Sequence, residues 1–162
     1  MVILASLVCS LATPPLGAAA GSVDFSGSYT LTGSKGAFKG KGASWTIRVA
    51  QTETTIEVLK TMDGKEDLNT FQLDGSEGVF TSSGGQKGIS KAQLKGKMLI
   101  LETFITTRPL PNGPAVQIHT RERWELSSDS KTLTIRSDVD FPNSGLGGFQ
   151  VIEPWSEIYK RN

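Results

Sequence analysis

The chain predicts an all-β fold, an antiparallel up-and-down barrel of about ten strands, on three observations. Apolar and polar side chains alternate along most of its length, as in "ASWTIRVAQ", where Trp45, Ile47 and Val49 share one face and Thr46 and Arg48 the other. Turn signals recur roughly every eight to twelve residues. After the first twenty residues, no stretch of a dozen residues has the helical spacing of apolar residues at i, i+3, i+4 and i+7. A row of such strands leaves two open edges unless it closes on itself, and closure is the simplest remedy. A two-sheet sandwich is the rival; it needs longer crossover loops than this chain offers.

The strands follow in order. Phe25 to Thr32 opens the series, with Phe25, Gly27 and Tyr29 falling two apart. After "ASWTIRVAQ", "TTIEVLK" (54–60) returns from a short turn near Thr52 and Glu53. Asp63-Gly64 is a hairpin signal that leads into "LNTFQL" (68–73). A second Asp-Gly, Asp74-Gly75, precedes the short "GVFTSS" (78–83). "ISKAQLKGKMLILETFITT" (89–107) is a hairpin turning at Lys95 to Lys97, and its second arm is the most apolar run after the first twenty residues. "RPLPNGP" (108–114) breaks the ladder with three prolines. "AVQIHTRERWELS" and "KTLTIRSDVDF" flank the "SSDSK" turn, and "FQVIEPWSEIYKR" (149–161) closes the chain with a bend or edge at Pro154. Tight turns join neighbours in sequence, so each strand is expected to pair antiparallel with the next.

Residues 1–20 read differently. They carry no charged side chain, run apolar from Val2 to Ala12, and end in small residues, with Ala18 and Ala20 in a small-x-small pattern. This is the form of a signal peptide, leaving 21–162 as the mature domain and a secreted or periplasmic, bacterial location as the expectation. The apolar run is too short to span a bilayer. Cys9, the only cysteine, lies inside it, and Val8 and Ser6 do not make a lipid-anchor context, so the mature domain has no thiol and no disulfide. The full chain of 162 residues suits one domain. Seventeen basic and sixteen acidic side chains give a net +1, without the basic stripe of a nucleic-acid binder. "KGAFKGKG" (35–42) is a local basic loop, read as solvated.

Several phrases together carry a resemblance. "FSGSY" (25–29) resembles the Phe-x-Gly-x-Trp opening of lipocalins and fatty-acid-binding proteins, with Tyr29 at the Trp position. "FQLDGSE", "LKGKMLILE", "RERWELSSDSKTLTI" and "EIYKR" look, in that order, like the phrases of lipocalin-like secreted bacterial proteins of unassigned function. The resemblance implies a calycin-type barrel in which the opening aromatic closes one end beneath a basic side chain from a late strand. Gly33 to Ala43 is too short for the two-helix lid of fatty-acid-binding proteins, and no C-terminal helix follows the last strand.

Catalytic and metal chemistry find little footing. His119 is the only histidine, and its alternation with Ile118 and Thr120 puts it on a face with Arg121, Arg123 and Glu125, a solvated strand face. There is no metal-ligand spacing, phosphate loop or nucleophile elbow. The expectation is a non-enzyme without cofactor or metal. On the opposite face, Trp124 and Leu126 belong to the core, and alternation then turns Glu122 inward. A buried carboxylate needs a partner, with Arg136, Arg48 and Lys160 as candidates. Glu122 is either polar lining that fixes a ligand head group, or it sits at the barrel mouth in water. Trp45, Ile47, Phe71, Ile100, Glu122, Trp124 and Ile135 are the candidate ligand-binding residues, within a wider apolar lining that includes Val58 and Ile158. The reading is a binding protein for a small hydrophobic or amphipathic molecule. A solid barrel that engages a protein partner through its loops is the alternative.

Overall fold

Ten strands make one antiparallel sheet in the computed structural model, which describes residues 23–36, 44–82, 85–108, 113–142 and 152–162. They are β1 (Gly27–Lys35), β2 (Thr46–Gln51), β3 (Thr55–Met62), β4 (Lys65–Gln72), β5 (Gly78–Thr81), β6 (Lys87–Lys95), β7 (Met98–Thr107), β8 (Val116–Leu126), β9 (Thr132–Asp140) and β10 (Ile152–Arg161). Their order in the sheet is β4-β3-β2-β1-β10-β9-β8-β7-β6-β5. The first strand therefore pairs with the last, with Tyr29 opposite Arg161, and the sheet curls into the expected up-and-down barrel.

Local chemistry fixes the hairpins. Asp63 and Gly64 both take positive φ, 52° and 77°, the conformation that a two-residue type I′ turn demands, and it joins β3 to β4. The second Asp-Gly does not make a hairpin. Among the described residues β4 and β5 share no ladder, which corrects the expectation that every sequence neighbour pairs. Asp74 Oδ1 accepts from the Ser76 amide at 2.8 Å, and Asp74 itself bridges to Gln93 on β6. The chain thus turns widely through 73–77 and is drawn toward β6 instead of folding back on β4. A Cβ on Gly88 would lie 2.5 Å from the Phe80 ring, so this glycine leaves room for Phe80 to fold inward beside the seam.

One end of the barrel is filled. Phe25, Tyr29, Ile56, Leu99, Trp124, Leu133 and Ile135 are fully buried there. Phe25 meets Trp124 edge to face, with centroids 6.5 Å apart. Tyr29 OH donates to the Phe25 carbonyl at 2.8 Å and accepts from Arg161 Nη2 at 2.7 Å, while the Arg161 guanidinium lies 5.2 Å above its ring. Tyr29 therefore occupies the plug position that the resemblance assigns to an aromatic under a late basic residue. Gln51 secures the segment before β1: its Oε1 accepts from the Phe25 amide and its Nε2 donates to the Val23 carbonyl. Residues 1–20 and most of the Lys35–Gly42 loop lie outside the described residues. No helix among the described residues is long and apolar enough to cross a membrane.

Candidate ligand-binding cavity

At the other end the barrel interior is polar, and strand alternation puts it there. Ile56 and Val58 are buried on β3, so the next residue of that face, Lys60, points inward. The β3–β4 register sets Asp67 opposite Lys60 and Asn69 opposite Val58. On β8 the same rule turns Glu122 inward from buried Trp124, and on β10 it turns Trp155 and Glu157 inward from buried Tyr159.

Lys60 and Glu122 meet across the barrel, Nζ to Oε1 at 2.6 Å, with side-chain exposures of 25% and 18%. The other carboxylate oxygen of Glu122 accepts from Trp124 Nε1 at 2.9 Å, and the ammonium lies 5.8 Å from the Trp124 ring. Tyr159 OH donates to Glu157 at 2.9 Å, and Asn69 Nδ2 donates to Asp67 at 3.1 Å. Burial by itself would lower the Lys60 pKa. The charge and hydrogen bond of Glu122, with Glu157 and Asp67 behind them, outweigh it and hold the ammonium above its ordinary value. Glu157 is pushed up, chiefly by burial and further by the charge of Glu122, against the hydrogen bond from Tyr159 and the charge of Lys60. The Tyr159 hydroxyl is raised as well, first by burial and then by Glu157.

Two cavities adjoin this cluster. The inner one has a volume of about 170 Å³, with Val58, Phe71, Phe80, Leu101 and Ile105 as its apolar wall and Asn69 among its polar groups. The outer one, about 210 Å³, is bounded by Trp45, Ile47, Met62, Trp155, Glu157 and Tyr159. Lys60, Asp67 and Glu122 belong to both, so the ion pair stands between two chambers.

The sequence-derived residues divide accordingly. Trp45 and Ile47 line the outer cavity, Phe71 the inner one, and Glu122 both. Trp124 and Ile135 are buried in the filled end; Trp124 touches the site by holding Glu122 and by its ring beneath the Lys60 ammonium. Ile100 is misplaced in that set. Leu99 and Leu101 are the buried neighbours, so Ile100 faces outward, into an external groove with Lys91, Glu102 and Arg121. Ile158, between inward Glu157 and Tyr159, also faces out. The partner of Glu122 is Lys60. Arg48, Arg136 and Lys160 are all exposed on the outer face, one residue out of phase with the interior. Lys60, the last residue of "TTIEVLK", was legible as the next member of the Ile56-Val58 series by the same alternation that turns Glu122 inward.

His119 lies on the outer face. It stacks flat on Phe104 with centroids 4.3 Å apart, and its Nδ1 is 3.1 Å from Asp140. Among the described residues no group of three or more His, Cys, Asp or Glu is arranged to hold a metal ion.

A barrel plugged at one end, with a small polar-headed cavity at the other, defines a calycin-type architecture, and comparison with solved structures agrees. The REP1-NXSQ fatty acid transporter matches with a TM-score of 0.60 and 14% identity, over 85% of this chain and 96% of that one. The zebrafish ileal bile acid-binding protein complexed with cholic acid matches with a TM-score of 0.60 and 16% identity, over 85% and 98%. The fatty acid-binding protein from Drosophila melanogaster brain matches with a TM-score of 0.55 and 20% identity, over 85% and 99%. At these identities the likeness is one of fold. No protein-family model matches the chain, and no curated protein matches its sequence.

Proposed function

We propose that the chain is a non-catalytic binding protein that holds a small hydrophobic or amphipathic molecule inside its barrel, and that it acts outside the cytoplasm after removal of residues 1–20. The observation that carries the binding reading is the inner cavity of about 170 Å³, apolar on one side and headed by Lys60, Asp67, Asn69 and Glu122. A dry apolar cavity of about 150 Å³ is large enough to bind benzene. The volume therefore suits a single ring or a short alkyl chain, with its polar end at the ion pair. Removal of apolar ligand surface from water drives binding, at roughly 25 cal/mol per Å², and the polar groups fix orientation. The names of the structural neighbours, fatty acid and bile acid binders, support the same use of the fold.

Native mass spectrometry of residues 21–162, purified gently, tests this. A retained mass lost on denaturation is the expected result. Titration with single-ring amphiphiles is expected to change the indole fluorescence, because Trp45 and Trp155 line the outer chamber. A bare mass together with unresponsive fluorescence overturns the reading.

A further inference from the structure

We infer that the barrel selects a cationic ligand, a small primary amine on a ring-sized apolar body, and rejects carboxylates; this rests on the binding reading above. Three independent observations on the lining lead there. Lys60 is the only basic side chain described on either cavity, and it faces Asp67, Glu122 and Glu157. One ammonium against three carboxylates leaves an excess of negative charge in the space a ligand head group must occupy. Lys60 is also already engaged, 2.6 Å from Glu122, so an incoming carboxylate finds no free cation and must displace one acid to reach it.

The second observation is the hydrogen-bonding polarity of the wall. Trp124 Nε1 donates to Glu122 and Tyr159 OH donates to Glu157, so these interior donors are spent. The third is an acceptor left over. Asn69 lines the inner cavity, and its Oδ1 is buried without a hydrogen-bond partner. Its orientation is set by its own Nδ2, which donates to Asp67. A buried acceptor without a donor is costly, and an alkylammonium brings three. Asn69 and Asp67 alternate on the inward face of β4, so one ammonium between them would meet a neutral acceptor and a carboxylate together. Phe71 and Phe80, on the same cavity, provide the apolar wall for the rest of the ligand. Like charges brought together across a desolvated site are strongly disfavoured, which sets the selectivity against acids.

The test uses three ligands of matched shape: 2-phenylethylamine, 2-phenylethanol and phenylacetate. They are titrated by calorimetry into the intact 21–162 chain at about pH 7.5, where an alkylammonium is charged. The amine is expected to bind at least about tenfold more tightly than the acid, with the alcohol between them. In D67N/E157Q, checked for folding by circular dichroism, the ratio of amine to acid affinity is expected to fall toward unity. Equal or tighter binding of phenylacetate overturns the inference while leaving the barrel a binding protein. A preference for the amine that survives D67N/E157Q also overturns it. Failure of all three ligands, the uncharged alcohol included, overturns the inference and the binding reading together.

Discussion

At the scale of single residues, breaking the interior ion pair costs more than the intact pair contributes. Lys60 and Glu122 hold each other where little water reaches, so removing one leaves the other charged and unpaired. K60M is expected to lose about 3 kcal/mol of stability in urea unfolding, the low end for a buried pair because the mouth still admits some water. K60M/E122Q, which removes both charges but keeps an oxygen for Trp124 Nε1, is expected to recover most of that. A double variant as unstable as K60M shows that the loss came from packing of the lysine stem. Glu157 gives a prediction of the opposite sign. Its carboxyl is raised above 4.5 in the folded protein, mainly by burial, with Glu122, Lys60, Tyr159 and Trp155 as the groups it feels. The folded state therefore holds a proton that the unfolded state has lost, between 4.5 and the raised value, and stability falls as pH rises through that window. E157Q removes the penalty. It is expected to melt higher than the parent at neutral pH, with the gain shrinking as pH drops to 4.5 and below. A gain that does not change with pH separates the effect from ionisation.

At the scale of elements, the strands were legible because a period of two needs only a few residues to show itself, and the Asp63-Gly64 turn carries its own geometry. Phase was harder to read. Ile100 sits in the run Met98–Leu101, where every residue is apolar, so nothing in the sequence tells the inward member from the outward one. The same dipeptide that makes a hairpin at Asp63 fails at Asp74, because the residues after it do not resume a strand until Gly78. Strand β5 is the weak element that results. It spans four residues, pairs among the described residues only with β6, and leaves Val79 80% exposed. Amides of β5 are expected to exchange with solvent at least about a hundredfold faster than those of β8 and β9, which are paired on both sides. Uniform protection across the sheet would mean that the seam is closed in solution.

At the scale of the whole molecule, the barrel could be read from turn spacing and from the need to hide edges, but the cavity could not. The same apolar positions serve a solid core or a lined pocket, and the difference is a volume set by how Phe71, Phe80 and Leu101 happen to pack. The polar head of the site was half visible: phase turns Glu122 inward from Trp124 and Lys60 inward from Val58, but nothing in the sequence pairs the two across the barrel. The strand order also divides the molecule in a way the chain order hides. β1 to β4 form one meander and β5 to β10 another, and β1 joins β10 by a ladder between residues as far as 132 apart in sequence. That junction is the non-local step on which closure of the barrel waits. On the far side, among the described residues, no ladder runs between β4 and β5, and the covalent segment 73–77 and the Asp74–Gln93 bridge help to join the halves. A backbone cut there severs no ladder, so the protein is built as two complementary fragments that happen to be linked. Lys60 comes from the first and Glu122 from the second, and their contact is the point at which the two pieces verify each other's alignment.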